Sequence, residues 1–265
     1  MKGPVVEACL VKRRSDGSIA RLTLDHPKRA NVLSSAMIEA LIEALSEAWE
    51  DSAIRVIILQ ATGRVFSAGH DLGELRADED PARHLRLFQR CADLMLAIGD
   101  SPKPVIAKVT GAAVAAGCQL VASCDLAYAD RGARFAVSGI DLGLFCSTPS
   151  VALSRKVGRS AATEMLFTGR FIDAHEAAAI GLVNRVADSD RLEAVVAEAA
   201  GSIAQKAPQA LALGKAFFRQ QLEMPRTEAY ELAARRMAEN LAFPCAKAGI
   251  DAFLSRHGVR EPAGS

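Results

Sequence analysis

The stretch "IRVIILQA", residues 54–61, constrains this chain more than any other. It is β-branched and apolar, and it reads as a buried strand. Amphipathic helices stand on either side of it in sequence. "SSAMIEALIEALSEAWED" (34–51) carries Met37, Leu41, Leu45 and Trp49 on one face and starts with a serine cap. "DPARHLRLFQRCADLMLAIGDS" (80–101) has the same character. Next come the strand "KPVIAKVTG" (103–111), a helix of small residues over 112–124, and short strands at "DLAYAD" (125–130) and "ARFAVS" (133–138). Strand and helix alternate, which implies α/β layers. Before them, "VVEACLVKR" (5–13) and "SIARLTLD" (18–25) are joined by the hairpin signal "SDGS". From about residue 145 helices take over, with one further strand predicted at "LVNRVA" (182–187), and the tail "REPAGS" is expected to be disordered.

Composition excludes several classes of function. Half of the 265 residues are hydrophobic, enough for a large core, and the formal charge is +1. That balance gives no reason to expect nucleic acid or an anionic membrane as a partner. The six cysteines are scattered, with no CxxC pair and no zinc spacing. Free thiols in a reducing compartment are the simplest reading. The N-terminal residues carry charge where a signal peptide needs an apolar core, and no stretch reaches membrane-spanning length. The expectation is a soluble, cytoplasmic protein.

Two segments break the pattern of packable side chains. "FSAGHDL" (66–72) and "VTGAAVAAGCQL" (109–120) each follow a buried strand, yet their side chains are nearly absent. Small side chains let a ligand approach backbone N–H groups closely. The first N–H groups of a helix lack intrahelical partners and sit at the positive end of its dipole. Two such segments facing each other would form an oxyanion hole, a pair of donors for charge developing on a carbonyl oxygen. On spacing alone, tight helix–strand packing is the simpler reading of Gly69, Gly111 and Gly117.

These segments also carry a resemblance. "ATGRVFSAGHDL", "KPVIAKVTGAAVAAGCQLVASCDLAYA" and "HPKRANVLS", with "EMLFTGRFIDAHEAAAIGLVNRV" and "AGIDAFLSR", resemble the enoyl-CoA hydratase/isomerase, or crotonase, family. The likeness extends over nearly the whole chain. It implies an α/β fold, a spiral of ββα turns over 1–200 with a C-terminal α-helical trimerisation region over 201–265. It implies a homotrimer, or a hexamer as a dimer of trimers. It implies an acyl-CoA thioester as substrate in fatty acid metabolism, with no cofactor and no metal. The family's oxyanion donors map onto the N–H groups of His70 and Ala116. Contacts to CoA map onto Lys28, Arg29, Ser67, Ala68, His70, Asp71 and Leu72, and, from a neighbouring subunit, onto Phe253 and Arg256.

The same resemblance locates two departures. Hydratases of this family use two glutamates, since paired carboxylates suit activation of water and delivery of a proton. The first position holds Gln119, an amide that orients water by hydrogen bonding but cannot take its proton. The second, aligned through "ARFAVSGIDLGL", holds Gly139. Asp141 lies two residues beyond and, in an extended segment, would point to the same side. Its plainer reading is a hydrogen bond to the loop. Cys146 and Ser147 fall where other branches place catalytic groups, although neither has a basic partner in view. Four readings therefore stand: a hydratase by family, an isomerase or a malonyl-type acyl-CoA decarboxylase using Asp141, or His70 with the oxyanion hole, and a non-catalytic acyl-CoA binder.

Overall fold

The computed structural model describes residues 9–77 and 79–256. Residues 5–8 of the first expected strand, His257 and the tail lie outside them. The chain divides into two compact units at Gln205 and Lys206.

The first unit opens with β1 (Val11–Asp16) and β2 (Ile19–Leu24), an antiparallel pair in which Asp16 faces Ile19. Gly17, at φ 56°, makes the two-residue turn between them. α1 (Ser35–Glu50) follows, and the Ser34 side chain accepts from the Met37 N–H as its cap. Three ββα turns come next. The first is β3 (Val56–Ala61), β4 (Val65–Ser67), α2 (Leu72–Ala77) and α3 (Pro81–Asp100). The second is β5 (Val105–Val109), β6 (Ala112–Val114) and α4 (Ala116–Ser123). The third is β7 (Leu126–Asp130), β8 (Arg134–Ala136), a 3₁₀ turn over Ser138–Leu142, α5 (Ser147–Lys156) and α6 (Arg159–Thr168). β9 (Ile172–Asp173), α7 (Ala174–Ala179), β10 (Arg185–Ala187) and α8 (Leu192–Ala204) complete the unit.

Each turn sends its first strand to one sheet and its second to another. The larger sheet runs β1-β2-β3-β5-β7-β10, parallel from β2 onward, and the smaller runs β4-β6-β8-β9. Both faces of the larger sheet are covered. Ile57, Leu59, Val105 and Ala107 belong to the main core with Leu41 and Leu45 of α1 and Leu94 and Ile98 of α3. Val56, Ile58, Ile106 and Tyr128 lie in a second cluster with Leu192, Val196 and Ala200 of α8. A parallel strand buried on both faces has no polar side to show, so "VIIL" is continuous rather than alternating.

One expectation needs correction. Residues 112–124 are not a single helix. Ala112–Val114 form a strand, Ala115 turns the chain, and the helix starts at Ala116. "FSAGHDL" likewise begins within the short β4 of the second sheet and does not follow β3 directly.

The second unit contains α9 (Pro208–Gln221), α10 (Arg226–Leu241) and α11 (Pro244–Arg256). No residue of these three helices is buried in the single chain.

Candidate active site

The small-residue segments are neighbours because β4 and β6 are. The two strands pair in parallel, with Ser67 opposite Ala113, so the segments leaving their C-terminal ends emerge side by side. The approach is close enough to require glycine. A Cβ on Gly69 would stand 3.0 Å from the Ala115 Cβ and 3.1 Å from the Ala116 nitrogen, and one on Gly117 would stand 2.3 Å from the Ser67 carbonyl oxygen. Tight packing thus brings the Ala116 nitrogen against the segment that carries His70.

Hydrogen bonds fix the peptide planes on both sides. Leu33 N–H donates to the Gly69 carbonyl at 2.8 Å, and Ala68 N–H donates to Ala30 at 3.0 Å. Ala115 N–H donates to Ala136 at 2.8 Å, and its carbonyl accepts from Gln119 N–H at 3.0 Å. The N–H groups of His70 and Ala116 have no acceptor among the described residues. Ala116 is the first residue of α4, where the helix leaves its amides unpaired. Two unengaged donors on touching segments can hold a carbonyl oxygen on which charge develops.

Two side chains here carry buried polar atoms without partners among the described residues, His70 Nε2 and Gln119 Oε1. His70 Nδ1 lies 3.3 Å from the Leu33 carbonyl oxygen, and its ring packs edge-on against Phe88 with centroids 5.2 Å apart. Burial pushes the imidazole pKa below its ordinary 6.5, against the opposing pull of the Leu33 carbonyl and the Glu74 carboxylate. Gln119 lies one turn into α4, which is buried from Ala116 to Ala122. Its Oε1 is a vacant acceptor for a donor brought by water or ligand.

Gly139 and Asp141 lie in the 3₁₀ turn, not in an extended segment, so the alternation expected to bring them to one side does not apply. Asp141 is exposed, and its carboxylate lies over Gly169, the C-cap of α6. Gly139 has no left-handed φ, yet a Cβ there would stand 2.6 Å from the Leu144 carbonyl oxygen and 2.8 Å from Cys146 Sγ. Cys146 is buried and its pKa is raised by desolvation, a setting for an inert thiol. Ser147 is exposed.

Among the expected CoA contacts, Lys28 is exposed on the 3₁₀ turn Pro27–Arg29. Arg29 is held by an ion pair with the buried Asp71, at 2.9 Å. Asp71 also accepts from the N–H groups of Gly73 and Glu74, which gives it a structural role at the start of α2. Ser67 is buried with its hydroxyl 3.3 Å from the Gly69 nitrogen, while Ala68 is partly buried and Leu72 exposed. In the second unit Phe253 is 54% exposed, so it is not core in this chain, and Arg256 donates to Ala252.

Sequence reasoning missed Asn31. It is fully buried at φ 49°, donates to the carbonyls of Thr62 and Val65, and accepts from His26 N–H. It ties the segment before α1 to the strands that lead into the site. Its signal was an asparagine, tolerant of left-handed backbone, inside "HPKRANVLS". His84 is partly buried, with Nε2 3.0 Å from the Leu75 carbonyl oxygen.

Comparison with known proteins gives consistent results. Residues 14–259 match the model of the enoyl-CoA hydratase/isomerase family. The rat protein named enoyl-CoA hydratase domain-containing protein 3, mitochondrial, is 43% identical over 254 residues, covering 96% of this chain and 85% of its own. The crystal structure of an enoyl-CoA hydratase from Mycobacterium smegmatis is 49% identical, with a TM-score of 0.91 and 96% and 98% of the two chains covered. That of human enoyl-CoA hydratase domain-containing protein 3 is 42% identical, also with a TM-score of 0.91, covering 96% and 100%.

Proposed function

The chain belongs to the enoyl-CoA hydratase/isomerase family, and from that premise we propose that it binds acyl-CoA thioesters and stabilises a thioester enolate between the N–H groups of His70 and Ala116. One observation carries this reading: both amides lack acceptors among the described residues, and they sit on segments that touch through Gly69. In the enolate the thioester oxygen gains charge, and two fixed donors bind that state better than the ground state. CoA itself needs no further cofactor. Lys28 supplies an exposed cation for its phosphates, and Arg29 serves once it exchanges Asp71 for the ligand.

The expected hydratase chemistry is weak or absent. Gln119 can hold a water but not deprotonate it, and no carboxylate stands at Gly139. General acid and base groups typically contribute about 10²–10⁴-fold each. We expect crotonyl-CoA to bind and to be hydrated far below the roughly 10 per second of an ordinary enzyme. Calorimetry with short acyl-CoAs, beside the loss of crotonyl-CoA absorbance, tests both statements. No binding to any of several acyl-CoAs would remove the reading, and rapid hydration would move the acid–base function to another group. A non-catalytic acyl-CoA binder is the second reading, favoured by the unpaired amide of Gln119 where the first glutamate is expected. A turnover screen over enoyl-, malonyl- and methylmalonyl-CoA separates it from the isomerase and decarboxylase readings.

We extend the proposal to assembly and place. The exposed apolar residues of the second unit, among them Phe218, Tyr230, Met237 and Leu241, support a trimer or a pair of trimers. No described helix is long and apolar enough to cross a membrane. The name of the rat relative includes "mitochondrial", so the cytoplasmic placement expected from the sequence gains no support from it.

A further inference from the structure

We propose that the imidazole of His70 is a positioning residue, which latches the carbonyl of Leu33 and so aims the N–H of its own backbone. The inference rests on the reading of that N–H as an oxyanion donor. Its geometry begins with the Gly69–His70 peptide, which is planar and trans. Leu33 N–H holds the Gly69 carbonyl at 2.8 Å. In a trans peptide the C=O and the next N–H point in opposite directions, so the His70 N–H is turned away from Leu33, to where it meets no acceptor among the described residues.

The ring closes the arrangement from the other side. A carbonyl oxygen only accepts, so the 3.3 Å contact to Leu33 places the imidazole proton on Nδ1. Leu33 is then gripped at both its N–H and its C=O by two consecutive residues. Phe88, edge-on at 5.2 Å, backs the ring. In this tautomer Nε2 carries a lone pair, and it is buried without a partner among the described residues. A second proton there would be an unsatisfied buried donor, so the ring stays neutral and the tautomer stays fixed. An isolated parallel bridge also joins the backbones of Leu33 and His70; without the ring that bridge keeps only its backbone bonds, and the 69–70 peptide is freer to rotate.

Three variants separate this latch from mere filling of space. All keep the backbone N–H. His70→Asn sets an amide N–H near the place of Nδ1. His70→Gln sets it near the place of Nε2, out of reach of Leu33, and His70→Leu offers no donor. The signal is the near-ultraviolet absorbance of enolised acetoacetyl-CoA on the protein, measured beside the affinity for CoA itself. The enolate formed per bound ligand should stay within about threefold of wild type in the asparagine variant. It should fall roughly tenfold or more in the glutamine and leucine variants, the CoA affinity of each variant serving to normalise the signal to bound ligand. Equal signals in wild type and the leucine variant, or an asparagine variant as poor as leucine, would overturn the latch. A wild type that binds acetoacetyl-CoA without any enolate band would instead overturn the oxyanion reading, and the latch with it. Hydrogen exchange over residues 67–72 without ligand is the second measurement. Faster exchange in the leucine variant and wild-type exchange in the asparagine variant are expected, and unchanged exchange in leucine would count against the latch.

Discussion

Ala115 sits at φ 49° and ψ −117°, a conformation glycine adopts freely and alanine does not. Holding a non-glycine residue there costs about 1–3 kcal/mol. The strain is local to the turn that starts α4 and presents Ala116 N–H. Ala115→Gly should therefore raise stability by about 1 kcal/mol after the extra unfolded-state entropy of glycine is subtracted. Urea unfolding of the two proteins measures it, and a destabilised variant would contradict the strain. Asn31→Ala should lower stability by about 2–4 kcal/mol, because it leaves the carbonyls of Thr62 and Val65 and the N–H of His26 without their partner. At Gly139 the obstacle is contact rather than backbone angle. Gly139→Glu combined with Gln119→Glu should destabilise the protein and yield no crotonyl-CoA hydration. Recovered turnover with an unchanged melting temperature would show that the loop yields.

The elements that matter most to the site are β4, β6 and α4. Gly117 is an ordinary helical residue, so Gly117→Ala tests distance alone. Its new Cβ would stand 2.3 Å from the Ser67 carbonyl oxygen, and backbone on one side must move. Helix propensity favours the alanine by up to about 1 kcal/mol. We nonetheless expect a less stable protein with thioester affinity lowered at least tenfold, because the two donors separate. Calorimetry with acetyl-CoA checks this, and wild-type affinity would mean that the segments need not touch.

For the whole molecule, two expectations concern assembly and acid. Met237 is 73% exposed and Tyr230 equally so in the single chain, and light scattering should report a trimer or hexamer at micromolar concentration. A monomer would contradict the assembly and the contribution of Phe253 and Arg256 to a neighbour's site. The acid expectation comes from His70. Its folded pKa lies below the ordinary 6.5, so the unfolded chain takes up the proton first. The stability it contributes is complete above about pH 6.5 and is lost as pH falls through the lower folded value. Glu74 is the charged group that opposes this shift. The carboxylates with lowered pKa values, Asp25, Glu39, Glu176 and Glu193, lose their contributions only at lower pH. Thermal midpoints should therefore decline between pH 6.5 and 5, and decline less in His70→Asn.

The sequence by itself determined whatever hydrophobic period and local chemistry can write. "VIIL" is continuous because its strand is covered on both faces, and the hairpin at Gly17, the serine cap at Ser34 and the helical run after residue 145 were all legible. The motifs "SAGHDL" and "AAGCQL" were legible through the family resemblance, whereas their spacing alone spoke only for tight packing. Tertiary structure alone decided how these parts meet. β4 and β6 are three residues long, too short for a period, and their existence depends on pairing with each other in a second sheet. That pairing sets Gly69 against Ala116 and strains Ala115. The turn that exposes Asp141 and crowds Gly139 is likewise set by the distant contact of Asp141 with Gly169 and by the return of Leu144 and Cys146 over Gly139. Asn31 and the latch of His70 on Leu33 join residues 30–34 to residues 62–70, a separation no local pattern records.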